Sequence, residues 1–284
     1  MKRLIAGGLG VLCALVLAPA ALAASHHPTG EYAQFDECPL NRATITDCNV
    51  SITEGGSFKI GSKTVPIVHP VKLQGGFEGA GSEIKFYGAE NGDTLSKTAQ
   101  PVPGGLTGIT APAWWPALVK NWFNALLSEG LTGVDATLEL AGPTKGLTTI
   151  KLNTENLIFE EGTALGLPSK IHLENAILGP NCYIGTSSNP VNINLTTATS
   201  GGLKGSAGTI TFNEPFFTIT TVTGARLVDG TFPAPGTTGC GGLFALFVNP
   251  LISTFVGLPA SSGNHAIFES GFQDAPSSEV IASE

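Results

Sequence analysis

The sequence predicts a mostly β fold, an antiparallel sandwich or open barrel, with one amphipathic helix over about 116–129 and a second apolar helical segment over about 243–257. Short runs of alternating apolar and polar residues recur along most of the chain, and this alternation is typical of half-buried strands. Turn-forming residues separate these runs, since the 284 residues include 37 glycines and 19 prolines. Charged residues are only 13% of the chain, which suits short strands joined by tight loops.

The alternation is clearest in two parts of the chain. Between 50 and 87, Phe58 and Ile60 share one face of a predicted strand. In "VDATLEL", residues 134–140, the apolar side chains point one way and the polar side chains point the other way. One stretch, "ILGPNCYIG" at 177–185, also resembles a single turn of a β-solenoid. A solenoid needs several such turns, so it is the minority alternative.

The segment "WWPALVKNWFNALLSEG", residues 114–130, predicts the amphipathic helix. Its apolar residues recur on a 3.6-residue period and form one stripe. Pro116 suits the first helical position, and Gly130 suits the position just after the end. The sequence leaves three alternatives open for this stripe: it packs on a sheet, it covers an apolar cavity, or it contacts a lipid surface. It is a predicted ligand or packing face with seven members: Trp115, Leu118, Val119, Trp122, Phe123, Leu126 and Leu127.

Residues 230–264 contain no charged side chain and include the apolar run "GGLFALFVNPLISTFVGLP". Asn249 and Pro250 interrupt this run, because Asn favours a helix cap and Pro favours the first turn. We therefore predict a buried helical segment in two parts, held near its start by Cys240. A transmembrane anchor is the less favoured alternative.

The first 23 residues have the three parts of a secretory signal peptide. Lys2 and Arg3 form a basic start, an apolar stretch follows, and Ala21-Leu22-Ala23 matches a cleavage site. We expect a secreted, extracellular protein with no integral membrane span in its mature form. Residues 24–284 are predicted to form a single large β-rich domain. Its special segments are a flexible leader (24–36), a candidate internal boundary (89–113) and a polar tail (274–284).

Four cysteines remain after the predicted cleavage: Cys38, Cys48, Cys182 and Cys240. An even number of cysteines in an exported protein indicates two disulfides. Four cysteines allow three pairings, and we favour 38–48 with 182–240 because Cys38 and Cys48 flank a short turn-prone stretch. A catalytic or metal-binding role for Cys182 is less favoured, because the nearest histidine in the sequence is ten residues away, at His172, and no second cysteine lies at short spacing.

The composition argues against several classes of function. The formal net charge is −8 and the basic residues do not cluster, so nucleic-acid binding is not expected. No hydrolase elbow, zinc-protease motif, phosphate-binding loop or dinucleotide fingerprint occurs. We therefore predict no catalytic residues, no metal ligands and no cofactor, and we favour a role other than that of an enzyme.

The chain resembles a known family in two long segments, "LPSKIHLENAILGPNCYIGTSSNPVNINLTT" at 167–197 and the region 228–271. With "CPLNRATITDC" and "KTVPIVHPVKLQGGF", the chain resembles secreted proteins of high-GC Gram-positive bacteria that have no assigned activity. The resemblance implies export from such a bacterium and four cysteines placed as here. It implies no substrate and no site.

Three functions fit these observations. The leading hypothesis is a secreted, non-enzymatic protein that binds an apolar small molecule or lipid, or a component of the cell envelope. The second is a structural or adhesive extracellular protein without a small ligand, for which an exposed apolar patch would be evidence. The third is a carbohydrate-active enzyme whose carboxylates are dispersed in the sequence and meet in one cleft. The sequence does not predict the oligomeric state.

Overall fold

The computed structural model describes residues 26–79, 84–105, 113–121 and 133–284. The predicted signal peptide lies outside the described residues. In chain order, the strands of the described residues are β1 (Asp47–Ile60), β2 (Lys63–Pro66), β3 (Val71–Glu78), β4 (Lys85–Gly88), β5 (Ala99–Pro101), β6 (Asp135–Leu140), β7 (Gly146–Leu147), β8 (Lys151–Leu152), β9 (Leu165–Glu174), β10 (Tyr183–Ile184), β11 (Val191–Leu195), β12 (Thr199–Ser200), β13 (Leu203–Lys204), β14 (Thr209–Phe212), β15 (Thr220–Asp229), β16 (Thr237–Thr238) and β17 (His265–Pro276).

The helical elements of the described residues are short. Two are 3-10 helices, η1 (Gly30–Phe35) and η2 (Gly242–Phe244). The α-helices are α1, described over residues 117–121, α2 (Thr154–Phe159), α3 (Ala245–Val256) and α4 (Ser277–Ala282).

Two antiparallel sheets form the body of the protein. The first has the strand order β14-β15-β17-β1-β3-β4-β7, and β2 also pairs with β1. The second has the order β16-β10-β9-β6-β5, and β8 and β11 also pair with β9. The strands β12 and β13 form a separate hairpin. The predicted mostly β, antiparallel fold is therefore confirmed, and the pairing differs from the parallel stacking of a β-solenoid.

The sheets pack face to face over one large apolar core. Phe58 and Phe268 of the first sheet are buried against Leu138, Ile171 and Ile193 of the second sheet. Alternate residues of β6 and β9 point into this core, as the period of two requires. The arrangement is a β sandwich, and its edges and outer faces carry the helices.

A second, smaller core lies on the outer face of the first sheet. Phe35 of η1 and Val280 of α4 are buried there against Val50 of β1. The sequence predicted a flexible leader at 24–36 and a polar tail at 274–284, but the described part of each packs against the other. Nδ1 of His26 lies 2.8 Å from a carboxylate oxygen of Glu284. Each segment has too few apolar residues to show a periodic pattern, so the sequence did not indicate this packing.

Both favoured disulfides are present. Cys38 is bonded to Cys48, and Cys182 is bonded to Cys240. The first disulfide holds the loop before β1 in the smaller core, and the second links the start of β10 to the segment before η2. Disulfides of this kind indicate an oxidising, extracellular setting.

The second predicted helical segment is present, but two expectations about it are wrong. Residues Ala245–Val256 form one continuous helix with Pro250 inside it, whereas a break at Asn249-Pro250 was expected. The side-chain oxygen of Asn249 accepts a hydrogen bond from the N–H of Cys240, so it does not cap a new helix. The helix is also mostly exposed rather than buried, and only Ile252 is fully buried.

The other predicted segments are described in part. Residues 117–121 are helical, within the helix predicted over about 116–129, and residues 122–129 lie outside the described residues. In the candidate boundary at 89–113, Leu95 and Val102 belong to the large core, and β5 pairs with β6. Residues 106–112 of that stretch lie outside the described part of the chain.

Candidate functional site

Helix α3 turns two polar side chains, those of Asn249 and Ser253, toward the protein, and most of its large apolar side chains lie in solvent. Oδ1 of Asn249 accepts a hydrogen bond from the N–H of Cys240 at 2.8 Å. Oγ of Ser253 accepts one from the N–H of Thr237 at 2.9 Å. Surface helices of soluble proteins usually show the opposite arrangement, with polar side chains in solvent. The orientation of α3 therefore leaves an apolar surface uncovered.

We call this surface the α3 face. Its members are large apolar residues of η2 and of the outward side of α3: Leu243, Phe244, Leu246, Phe247, Leu251 and Phe255. The exposed fraction is 81% for Leu246 and 75% for Phe247, against 7% for Ile252 on the inward side. Residues 230–264 contain no charge that would interrupt the face. Exposed apolar patches of this extent mark contact surfaces for proteins or membranes.

The segments at both ends of the α3 face are fixed to the rest of the protein. The disulfide from Cys182 fixes Cys240, and the N–H of Gly241 donates to the carbonyl oxygen of Leu178 at 2.7 Å. At the other end, Gly257 takes the left-handed conformation that terminates the helix, and the N–H of Ser62 donates to the carbonyl oxygen of Val256 at 2.7 Å. These contacts at both ends hold the helix while its outer side chains remain uncovered.

An apolar cavity of about 50 Å³ lies directly beneath α3, between the two sheets. Ile60 lines it from the first sheet, Ile171 and Ile184 line it from the second sheet, and Ile252 lines it from α3. Phe255 lines the cavity and is also 55% exposed, so it belongs to both the cavity wall and the α3 face. The cavity and the exposed face are therefore contiguous at this residue.

Lys63 is the charged residue in the wall of this cavity. It begins β2, directly after Ser62, which bonds to the end of α3. Burial lowers the pKa of Lys63, because the charged ammonium loses hydration there. Among the described residues, no carboxylate forms an ion pair with it.

A second cavity, also of about 50 Å³, lies at the other end of the large core. Its walls are mostly leucine and phenylalanine, but a polar stripe from β1 and β17 runs along one side and includes Ser51, Thr53 and Asp274. The side-chain nitrogen of Asn49 donates to Asp274 at 2.5 Å. Burial raises the pKa of Asp274 to about 7, the bond from Asn49 opposes this shift, and the nearby charge of Asp47 adds to it.

A polar cluster occupies the outer face of the second sheet. Nδ1 of His172 lies 3.7 Å from a carboxylate oxygen of Glu139 and 3.5 Å from one of Glu174. The ring of His172 stacks on Tyr183 with centroids 4.5 Å apart, and Nζ of Lys170 lies 3.1 Å from Glu139. These residues line none of the four cavities characterised in the described part of the chain. The cluster is an ion-paired sheet surface rather than a cleft that holds a substrate.

The predicted apolar face at 115–127 is only partly described. Trp115 is half-buried, Leu118 is 82% exposed and Val119 is also exposed. The remaining members lie outside the described residues: Trp122, Phe123, Leu126 and Leu127. Its role as a ligand or packing face stays a prediction.

Metal ligation and membrane spanning are two further properties of the described residues. Those residues contain no group of three or more histidine, cysteine, aspartate or glutamate side chains arranged to hold a metal ion. No α-helix in this part of the protein combines the length and apolar character needed to cross a bilayer.

The fold and the site define a class, a disulfide-linked antiparallel β sandwich with an exposed apolar helix on one edge. Comparisons of the chain with protein-family models, curated proteins and solved structures returned no match. The site's chemistry therefore has to be argued from this chain alone.

Sequence reasoning found the helix of the site but missed its orientation and its neighbours. No sequence pattern indicated that Lys63 and Asp274 line cavities. Each is placed in its cavity wall by strand pairing that the sequence does not specify. The cluster around His172 had a partial signal in the alternation of "KIHLE", which places Lys170, His172 and Glu174 on one face. Its contact with Glu139 depends on the register between β6 and β9.

Proposed function

We propose that this protein is exported and binds an apolar lipid component of the cell envelope through the α3 face. One observation carries the proposal, the reversed orientation of α3. Side chains that soluble helices bury are turned outward here, while Asn249 and Ser253 are used for hydrogen bonds to the protein. Contact with an apolar surface would remove the outward side chains from water, as burial in a core does.

The charge distribution supports a neutral lipid rather than an anionic surface. The chain carries a net charge of −8, and residues 230–264 have no basic side chain to attract anionic head groups. Attachment would therefore come from the burial of apolar area, as in helices that lie at a membrane surface. Such binding depends little on ionic strength, because screening by salt acts on charges.

Flotation with phosphatidylcholine vesicles tests this proposal. We expect the protein to float with the vesicles at low and high salt. Full burial of one large apolar side chain contributes about 1.5–3 kcal/mol, so the double substitution Leu246→Ser and Phe247→Ser should weaken partitioning by at least about a hundredfold. Both residues are exposed, so the variant should unfold at nearly the same temperature as the parent protein.

The matched control is Phe212→Ser with Phe216→Ser, an exposed pair of apolar residues near the turn between β14 and β15. This control should float like the parent protein. Equal loss in both variants, or no flotation of the parent protein, would overturn the proposal. If the parent protein instead forms dimers that the α3 variant abolishes in analytical ultracentrifugation, the α3 face is a self-association surface and the adhesive alternative is favoured.

A further inference from the structure

We propose that the cavity beneath α3 binds the chain end of a single-chain anionic amphiphile, whose carboxylate or phosphate head group pairs with Lys63. This inference goes beyond envelope binding, because the α3 face can attach to a surface whether or not the cavity is filled. It rests on three properties of the cavity: its apolar wall, its size and the position of Lys63, the one cation among the described residues of that wall.

The wall of the cavity selects an apolar group. Apart from Lys63, its side chains are aliphatic or phenylalanine, including Phe58, Ile171 and Ile252. Apolar cavities of this kind stay free of ordered water and accept apolar ligands, because water needs polar partners that such walls lack. The apolar part of the ligand would therefore enter without displacing bound water.

The size of the cavity limits the ligand to one chain. The volume of about 50 Å³ is a few times the ~10–15 Å³ that one water molecule requires by the same kind of measure. This space holds the end of a single hydrocarbon chain, whereas a two-chain lipid or a sterol is too large. Phe255 lines the cavity and is 55% exposed on the α3 face, so a shift of this one side chain would let the rest of the chain reach solvent or a lipid surface.

Lys63 supplies charge complementarity. Its ammonium group is partly desolvated, and the described residues offer it no carboxylate partner. Ser62 bonds to the carbonyl oxygens at the end of α3, so Lys63, the next residue, lies beside that helix end and forms part of the cavity wall. An anionic head group would restore the interactions that burial removes, and charge-assisted hydrogen bonds are stronger than neutral ones.

Isothermal titration calorimetry tests the head-group preference with three probes below their micelle concentrations: sodium decanoate, decyl phosphate and decyltrimethylammonium chloride. We expect the two anions to bind and the cation to bind at least tenfold more weakly. The ratio between decanoate and decyl phosphate tells which acidic head group the site prefers. Affinity should also rise about fourfold for each methylene from hexanoate upward and level off when the cavity is full.

Two variants and one control complete the test. Lys63→Met keeps the apolar stem and should lower decanoate affinity about tenfold while removing the preference over the cation. Lys97→Met, which removes an exposed lysine elsewhere, should change nothing. Ala136→Leu fills the cavity and should abolish the gain with chain length, provided that circular dichroism shows a folded protein.

Equal affinities for the anionic and cationic probes, or unchanged decanoate binding in Lys63→Met, would overturn the inference. The result is separable from the test of the proposed function. The α3-face variant with serine at 246 and 247 should lose vesicle flotation and keep decanoate binding. Lys63→Met should keep flotation and lose the head-group preference. Loss of both properties in either variant would contradict the assignment of two separate roles.

Discussion

Replacement of Asp274 by Asn should remove a pH dependence from the free energy of unfolding of this protein. Asp274 faces the second cavity and pairs across the strands with Asn49, and its pKa rises from 3.8 to about 7. The unfolded chain loses this proton near pH 4, whereas the folded protein keeps it until about pH 7. The folded state therefore binds more protons over this range, and the free energy of unfolding falls as the pH rises from about 4 to about 7.

The magnitude follows from the two pKa values. Their difference corresponds to about 4 kcal/mol at 1.36 kcal/mol for each pH unit, and about 3 kcal/mol of it falls between pH 5 and pH 8. Asn at position 274 keeps an oxygen that accepts the hydrogen bond from Asn49 but carries no charge. The variant should therefore gain about 3 kcal/mol relative to the parent protein between these two pH values.

Chemical denaturation of both proteins at pH 5, 6, 7 and 8 measures this difference. Groups that titrate in both proteins cancel when the two free energies are subtracted, so the difference isolates Asp274. A difference that stays constant across the four pH values would refute the reasoning. A parent protein that becomes more stable relative to the variant as the pH rises would refute it as well, because it would mean that the folded pKa is lowered.

Two further predictions concern the covalent and ionic links. Replacing Cys182 and Cys240 by Ala opens a loop with a sequence separation of 58 and should lower the free energy of unfolding by about 4 kcal/mol. The same replacement at Cys38 and Cys48, with a separation of 10, should lower it by about 3 kcal/mol. Urea denaturation measures both losses, and equal losses would contradict this prediction. Glu139→Gln leaves Lys170 without its carboxylate partner at 3.1 Å and should destabilise the protein by about 1–3 kcal/mol. The control Glu174→Gln changes a more exposed carboxylate and should destabilise the protein less. Thermal unfolding of both variants measures the difference.

Local patterns predicted the fold class well, because each strand shows its own period of two. Phe58 and Ile60 share an inward face, and the apolar residues that alternate between Val134 and Leu140 all belong to the large core. The favoured disulfide pairing, which rested on the short turn-prone stretch between Cys38 and Cys48, is also confirmed. These features depend on residues that are near each other in the sequence.

Features that depend on distant partners were not predictable in the same way. Phe35 and Val280 pack in one small core, although they are separated by almost the whole described chain. The hydrophobic pattern of α3 indicated a buried helix, because the pattern records which residues are apolar and not which side faces the protein. The side chains of Asn249 and Ser253 accept hydrogen bonds from the segment 237–240 in this orientation, and only the fold brings these groups together.

Fluorescence quenching would show whether the α3 face enters an apolar lipid surface, as we propose. A Phe247→Trp variant would be bound to phosphatidylcholine vesicles with bromine on the acyl chains, and the parent protein's signal would be subtracted. We predict strong quenching of the tryptophan at 247 and weak quenching in a Phe159→Trp control, where the replaced side chain is 70% exposed on α2. Equal quenching at both positions, or no quenching at 247 in protein that floats with the vesicles, would contradict the claim.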